Sequence, residues 1–385
     1  MFAHRLRSIG SSLLVPAGIT LLLFALLEGG GRVAGRVRTG AWPVTQQERE
    51  SRFARELAKA YRLHPFLSVA GRPGAEIHLP GYEARFNSLG QRGAEPEQPK
   101  PAGRFRVVCE GGSTTIDVLA ANDAATWPAL LAGFLGPDAD VVNGGFQGWT
   151  SVESLVALAL RDVDLSPDLV VVYSGVNDLQ PAGHVPFARD YSIGHGEILP
   201  RALGAVPRPL PLVARSVFLE WLRGRLGLAV RRGDARSWAP VWDPKGGARR
   251  DAPPGEAVEV FSRNLKSTAA VARAYGAKTL FVAQAVRVRP GSRDQDLAYL
   301  ESWAPGLTGA GFLEGVKRFN EAARALAASG EALFVDPFAE GAFSDEDFGD
   351  PVHFGPSGSR KFARRLAEEI ARIRAEAPPP AAIIR

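Results

Sequence analysis

The sequence predicts an α/β chain built on a central parallel sheet of about five strands, preceded by a membrane-crossing helix. Three observations carry this. From Phe105 onward, short runs rich in Val, Leu and Phe alternate with longer helical patterns, as in repeated βαβ units. Those short runs are apolar almost without a break, rather than at every second residue, as in strands covered on both faces. And residues Ile9–Leu27 hold nineteen positions without a charge, close to the roughly 20 residues with which a helix crosses a bilayer.

Taken in order, the apolar segment follows His4, Arg5 and Arg7, as in a signal anchor. The residues after it, ALLEGGGRVAGR, offer no small-x-small cleavage site, so residues 1–40 read as an uncleaved single-pass anchor with its flank. Arg32, Arg36 and Arg38 beyond it balance the basic residues before it, and the positive-inside rule does not choose a topology. A lone N-terminal span ordinarily exports the chain beyond it, so the remaining residues are expected outside the cytoplasm. Residues 41–102 read as an approach segment: a polar helix over 46–63, extended pieces broken by Gly and Pro over 64–93, and a linker, EPEQPKPAG.

The α/β domain is expected over 103–375. Its strands are FRVVCE (105–110), DADVVN (138–143), DLVVVYSG (168–175), AKTLFVAQ (277–284) and EALFVDP (331–337). Its helices are WPALLAGFL (127–135), SVESLVALALRDV (151–163), FSRNLKSTAAVARAY (261–275), LEGVKRFNEAARALAAS (313–329) and a final one over 357–377. Residues 185–258, rich in Pro, Arg and Trp, interrupt the alternation as an insertion. Within it Val213, Val217, Phe218, Trp221 and Leu222 fall largely on one side of a helix; the insertion caps the sheet's carboxyl edge, lies on the membrane, or simply packs a helix on the domain. The tail from 376 reads as disordered.

Composition excludes several classes of function. The 385 residues are 45% hydrophobic with a net charge of +5, but the basic residues are scattered. They form no stripe interleaved with aromatics, so nucleic acid is not an expected partner. Cys109 is the only cysteine, which rules out an intrachain disulfide and a cysteine zinc site, and it is expected inside the first strand. No H-E-x-x-H, close His pair or calcium loop occurs, and GAKT (276–279) lacks the spacing of a phosphate loop. Neither metal nor cofactor is expected.

Ligands of an open parallel sheet bind beyond the carboxyl ends of its strands. The residues just there are Gly111-Gly112-Ser113-Thr114-Thr115, Asn143-Gly144-Gly145-Phe146-Gln147-Gly148, Ser174-Gly175-Val176-Asn177-Asp178, and, before the last helix, Asp350-Pro351-Val352-His353. They suit acyl transfer. A serine hydroxyl becomes a nucleophile when a neutral imidazole takes its proton, here Ser113 and His353. A carboxylate three residues earlier, Asp350, can orient that imidazole. The oxyanion needs fixed donors, which the N–H of Ser113, a second-loop glycine and the amide of Asn177 can supply. Ser113 as a mere helix cap, Asn177 as a turn residue and His353 as an ordinary packed histidine are the competing readings. The four loops together favour the catalytic one. His64, His78 and His184 are assigned no role, and Asp178 reads as structural.

In that order, GGSTT, NGGFQGWTS, GVND and DPVH resemble the four blocks of the SGNH hydrolases, the GDSL esterase/lipase superfamily, over roughly 103–375. The approach segment, HPF…RPGA…NSLGQRG, is similar to that of membrane-anchored bacterial members. The resemblance implies a flavodoxin-like three-layer α/β/α fold and a serine hydrolase with Ser113 as nucleophile and first oxyanion donor. It makes Gly145 and Asn177 the other oxyanion donors, and Asp350 and His353 the last pair. The first block reads Gly-Gly-Ser where many members have Gly-Asp-Ser, and Gly148 rivals Gly145 in the second. The function implied is a membrane-anchored esterase acting on short, acetyl-like acyl esters, including an O-acylated envelope glycan. An O-acyltransferase with the same triad, a lipase or thioesterase at the membrane surface, and a silent glycan-binding scaffold are the alternatives.

Overall fold

The computed structural model describes residues 2–45, 48, 52, 55, 56, 58–192, 215–226, 249–288, 292, 294–304, 306–338 and 341–375, with burial described from residue 15 onward. The chain divides into two compact units: residues 1–55 with 206–239, and residues 56–205 with 240–385. The expected tail and much of the insertion, Val213 included, lie outside the described residues.

The larger unit carries a five-stranded parallel sheet. Its strands are β1 (Phe105–Gly111), β2 (Ala139–Asn143), β3 (Leu169–Tyr173), β4 (Lys278–Val282) and β5 (Leu333–Val335), in the order β2-β1-β3-β4-β5. This is the doubly wound order of flavodoxin-like folds, in which the chain reverses direction at β1 and opens a crevice between β1 and its neighbours. Registers such as Val107↔Val141, Val108↔Val170 and Phe281↔Phe334 are parallel. Val107, Val108, Cys109 and all of β3 are buried, which is why these runs are apolar without alternation. Burial also pushes the Cys109 thiol above its ordinary range, leaving it an inert core residue.

Helices cover both faces. The connections are α1 (Ser113–Ile116), α2 (Trp127–Leu135), α3 (Ser151–Leu160), α4 (Gly255–Ala274), α5 (Gly309–Ala328) and α6 (Pro356–Ala375). One face packs Val170, Val172 and Phe281 against Leu158, Phe261, Leu265, Phe312 and Phe319. The other packs Val107, Val171 and Tyr173 against Trp127, Leu131, Phe362 and Leu366. Local signals set the helix starts: Thr126 caps α2, a Thr150–Glu153 capping box opens α3, and Thr308 caps α5. Helix α4 begins six residues before its first strongly apolar turn, because Pro254 supplies the extended residue ahead of it. A further helix, Asp294–Trp303, went unpredicted: with Leu300 as its one buried residue it has little apolar periodicity to read.

The approach segment is more structured than its Gly and Pro content suggests. Of the polar helix expected over 46–63, the described residues 48, 52, 55, 56 and 58–60 are helical, and the chain then enters a strand at Tyr61–Arg62. That strand pairs with Ala70–Gly71, and Glu76–Leu79 pairs with Tyr82–Arg85, as two antiparallel ribbons. Ile77, Phe86 and Tyr61 share a core with Ile116, Phe146 and Trp149 from the loops after β1 and β2. Trp149 Nε1 donates to Val69 O at 2.7 Å, and the Tyr61 hydroxyl to Gln147 at 2.8 Å.

Arg92 locks this arrangement. Its guanidinium is fully buried, pairs with Asp123 at 2.9 Å, and donates to the carbonyls of Asp117 (2.8 Å), Ala120 (3.0 Å) and Glu83 (3.2 Å). Its donors fit these acceptors as a rigid fork, which a lysine cannot reproduce.

In the smaller unit, one helix runs from Phe2 to Thr39, twelve residues past the apolar run that predicts it, through Gly29-Gly30-Gly31. It is long and apolar enough to cross a membrane by length and composition. The helix Val217–Arg225 groups with this unit.

Replacing Arg92 by Met should destabilise the protein by about 3–5 kcal/mol, because the buried carbonyls of Asp117 and Ala120 would lose their donor and half-buried Asp123 its closest cation. Urea unfolding followed by circular dichroism measures this, and a loss under 1 kcal/mol would contradict the locking role.

Candidate active site

The crevice forms where three backbones meet at the start of α1. Strand β1 ends at Gly111, whose φ of 152° is open only to glycine. A Cβ there would lie 2.2 Å from both Tyr173 O and Thr115 Oγ1. Thr115 Oγ1 donates to Tyr173 O at 2.8 Å, tying the first turn of α1 to the end of β3. At Gly112 a Cβ would lie 2.3 Å from the Asn177 amide nitrogen. At Gly145 a Cβ would fall 2.6 Å from Thr115 Cβ and 2.8 Å from the Ile116 N. Gly145 thus lies directly against α1, whereas Gly148, with φ 79°, makes the turn that follows.

Ser113 opens α1, so its N–H belongs to the first turn, where helix donors have no intrahelical acceptor. Its Oγ lies 2.8 Å from His353 Nε2. His353 Nδ1 lies 2.8 Å and 3.0 Å from the two oxygens of Asp350. Asp350 also accepts the backbone N–H groups of Val352 and His353, both at 2.9 Å, which fold the Asp-Pro-Val-His loop into a tight turn. The loop is held from outside by Arg287 N–H, which donates to Pro351 O at 2.9 Å. Phe348 and Phe354 bridge its two ends.

Burial alone would raise the Asp350 carboxyl, but the His353 charge and the three hydrogen bonds outweigh it and bring it down to about 2. It is ionised over the whole neutral range and can hold the imidazole with Nδ1 protonated and Nε2 turned to the serine.

Asn177 is 5% exposed, and its amide donates to Trp149 O at 2.7 Å, which leaves its second N–H available toward the crevice. Asp178 beside it is fully buried and accepts the N–H of Ser151 at 3.1 Å, holding the start of α3. Ser174 Oγ, at the end of β3, has no hydrogen-bond partner among the described residues. No group of three potential metal ligands occurs among the described residues.

Two supporting residues escape sequence reasoning. Asp117 is buried at the end of α1 with φ 58°, and accepts Trp127 N–H and the Ser359 hydroxyl, each at 2.8 Å. It thereby joins the serine turn to α6, the helix that follows the His353 loop. Burial pushes its carboxyl up to about 6, against those two hydrogen bonds and the nearby Arg92 and His353 charges. Tyr299, from the unpredicted helix, brings its hydroxyl within 3.4 Å of Asp350. The place of Asp117, four residues after Ser113, was the only signal available for it, and Tyr299 left none.

A family model for the GDSL-like lipase/acylhydrolase family matches residues 109–361. Among solved structures, the chain is similar to an aryl esterase from M. smegmatis (17% identity, 70% of this chain and 99% of that one, TM-score 0.39). It is also similar to a carbohydrate acetylesterase from Sinorhizobium meliloti (16%, 70% and 100%, 0.39) and to a GDSL-like lipase from Bacteroides thetaiotaomicron (16%, 70% and 88%, 0.39). No protein of curated function matches the sequence.

Two outcomes are expected. Gly145→Ala should displace α1 and with it Ser113, lowering kcat/KM on a chromogenic ester about 100-fold while the fold persists; an unchanged rate would show that the loop can give way. The depressed Asp350 carboxyl contributes about 2 kcal/mol of stability above pH 4, lost as pH falls toward 2. The stability gap between wild type and Asp350→Asn in urea should accordingly close over that window, and a gap constant with pH would contradict it.

Proposed function

The chain belongs to the GDSL-like lipase/acylhydrolase family and is an ester-hydrolysing enzyme; from that premise we propose that it is a membrane-anchored serine esterase working through Ser113, His353 and Asp350. One observation carries the proposal: the unbroken hydrogen-bond chain from Asp350 through His353 to Ser113 Oγ.

In the first half-reaction His353 Nε2 takes the Ser113 proton as Oγ attacks the ester carbonyl. Asp350 steadies the imidazolium through Nδ1–H. The oxyanion is held by the N–H of Ser113 and Gly145 and by the amide of Asn177. His353 then returns the proton to the departing alcohol, leaving an acyl-Ser113. In the second half-reaction His353 deprotonates water, which attacks the acyl group, and Ser113 leaves with the proton.

Two finer features rest on resemblance rather than geometry. The approach segment is similar to that of membrane-anchored bacterial members, which supports a short acyl group and an envelope glycan as the natural ester. The long apolar N-terminal helix supports anchoring with the catalytic unit outside the cytoplasm.

The full chain in detergent should react with a fluorophosphonate and release p-nitrophenol from acetyl ester faster than from octanoyl ester. Ser113→Ala should do neither, with kcat down at least about 10³-fold. Labelling without turnover would instead favour the O-acyltransferase reading. Folded wild type that neither labels nor hydrolyses would end the serine-esterase reading.

A further inference from the structure

The smaller unit holds a side chain that the esterase chemistry does not use. Glu28 follows the last residue of the apolar run, Leu27, and turns toward the helix Val217–Arg225. Its carboxylate accepts the Ser216 hydroxyl at 2.7 Å, Phe218 N–H at 3.0 Å and Val217 N–H at 3.2 Å, with Arg32 Nε at 2.9 Å closing the set. The helix is therefore capped twice, by Ser216 and by a carboxylate from a helix nearly 190 residues away in sequence.

An aromatic ladder runs beside that cap. Phe24, one turn before Glu28, meets Phe218 edge-on at 6.5 Å; Phe218 stacks on Trp221 at 6.2 Å; and Arg225 lies 5.7 Å over the Trp221 ring. Yet Trp221 remains 55% exposed, and Leu226, two turns beyond Phe218 on the same side, 62% exposed. Exposed apolar residues of the N-terminal helix, Phe24 and Leu27 among them, lie at the foot of the ladder.

We infer that residues 217–226 form an interfacial helix seated in the headgroup layer of the leaflet from which the chain emerges. This rests on the reading of the apolar run ending at Leu27 as membrane-crossing. The occupant follows from continuity: the ladder starts on the span itself, so the phase that solvates Phe24 also reaches Phe218 and Trp221. Glu28 fixes the depth, since a carboxylate joined to four donors at the end of an apolar run belongs at the boundary with water. The remaining composition fits that layer, with Trp221 at the headgroup level and the exposed Arg225 beside it supplying positive charge for lipid phosphates.

The test uses the full chain in phosphatidylethanolamine–phosphatidylglycerol vesicles, with Cys109→Ala removing the single thiol. Fluorophores on Leu226→Cys, Gly224→Cys and Leu21→Cys report depth through quenching by spin-labelled lipid and by aqueous iodide. An interfacial helix gives lipid quenching at 226 about three times that at 224, with 21 deeper than both, and Glu28→Ala abolishes the contrast. If 226 is quenched by iodide alone while 21 stays lipid-quenched, the interfacial helix is wrong and the anchor stands. If 21 is also quenched by iodide, the anchor reading fails and takes the inference with it.

Discussion

The active-site crevice depends on the absence of three methyl groups. Gly111, Gly112 and Gly145 bring the end of β1, the Asn177 loop and the loop after β2 within a distance at which any Cβ would overlap backbone or a neighbouring side chain. Only this approach puts the Asn177 amide and the second-loop backbone beside a serine that starts a one-turn helix. The chemistry then needs few groups, because convergence of the chain has already placed them.

Around this frame, two carboxylates, one half-buried and one fully buried, are driven in opposite directions. Asp350 gathers an imidazole and two backbone N–H groups and falls to about 2; Asp117 gathers a hydroxyl and one N–H in deeper burial and rises to about 6. The number and charge of the donors decide the sign, not the type of residue. Asp350 is thus a permanent charge beneath His353. Asp117 is a hydrogen-bonding rivet between α1 and α6 whose ionised form the fold does not favour.

How much could be read from the sequence depended on how far each signal reached along it. The five buried strands announced themselves by unbroken apolar runs, and α2 by Thr126 ahead of Trp127-Pro128. Ser113, Gly145, Asn177, Asp350 and His353 each follow a strand or precede a helix, so topology alone brings their loops to one edge. Arg92, Asp117 and Tyr299 gave no comparable sign, because their meaning lies in partners as far as 25, 242 and 51 residues away. The helix Asp294–Trp303 buries too little to show a period. The pairing of Glu28 with Ser216 is illegible for the same reason, since two local patterns never state that they meet.

The apolar side of the approach segment bears on where this enzyme begins. The residues matching the family start at 109, and the first sheet strand at 105. Yet Ile116, Phe146 and Trp149, on the very segments that carry Ser113 and Gly145, are covered by Tyr61, Ile77 and Phe86. A gene trimmed to the recognisable core would thus retain Ser113, Asn177, Asp350 and His353 and strip the floor from beneath the segments that follow β1 and β2. It would present greasy aromatic surface to solvent and aggregate. The functional minimum is longer than the recognisable one by the whole stretch from about residue 56, and orthologues compared only across their four signature blocks would be compared without the part that keeps those blocks in register.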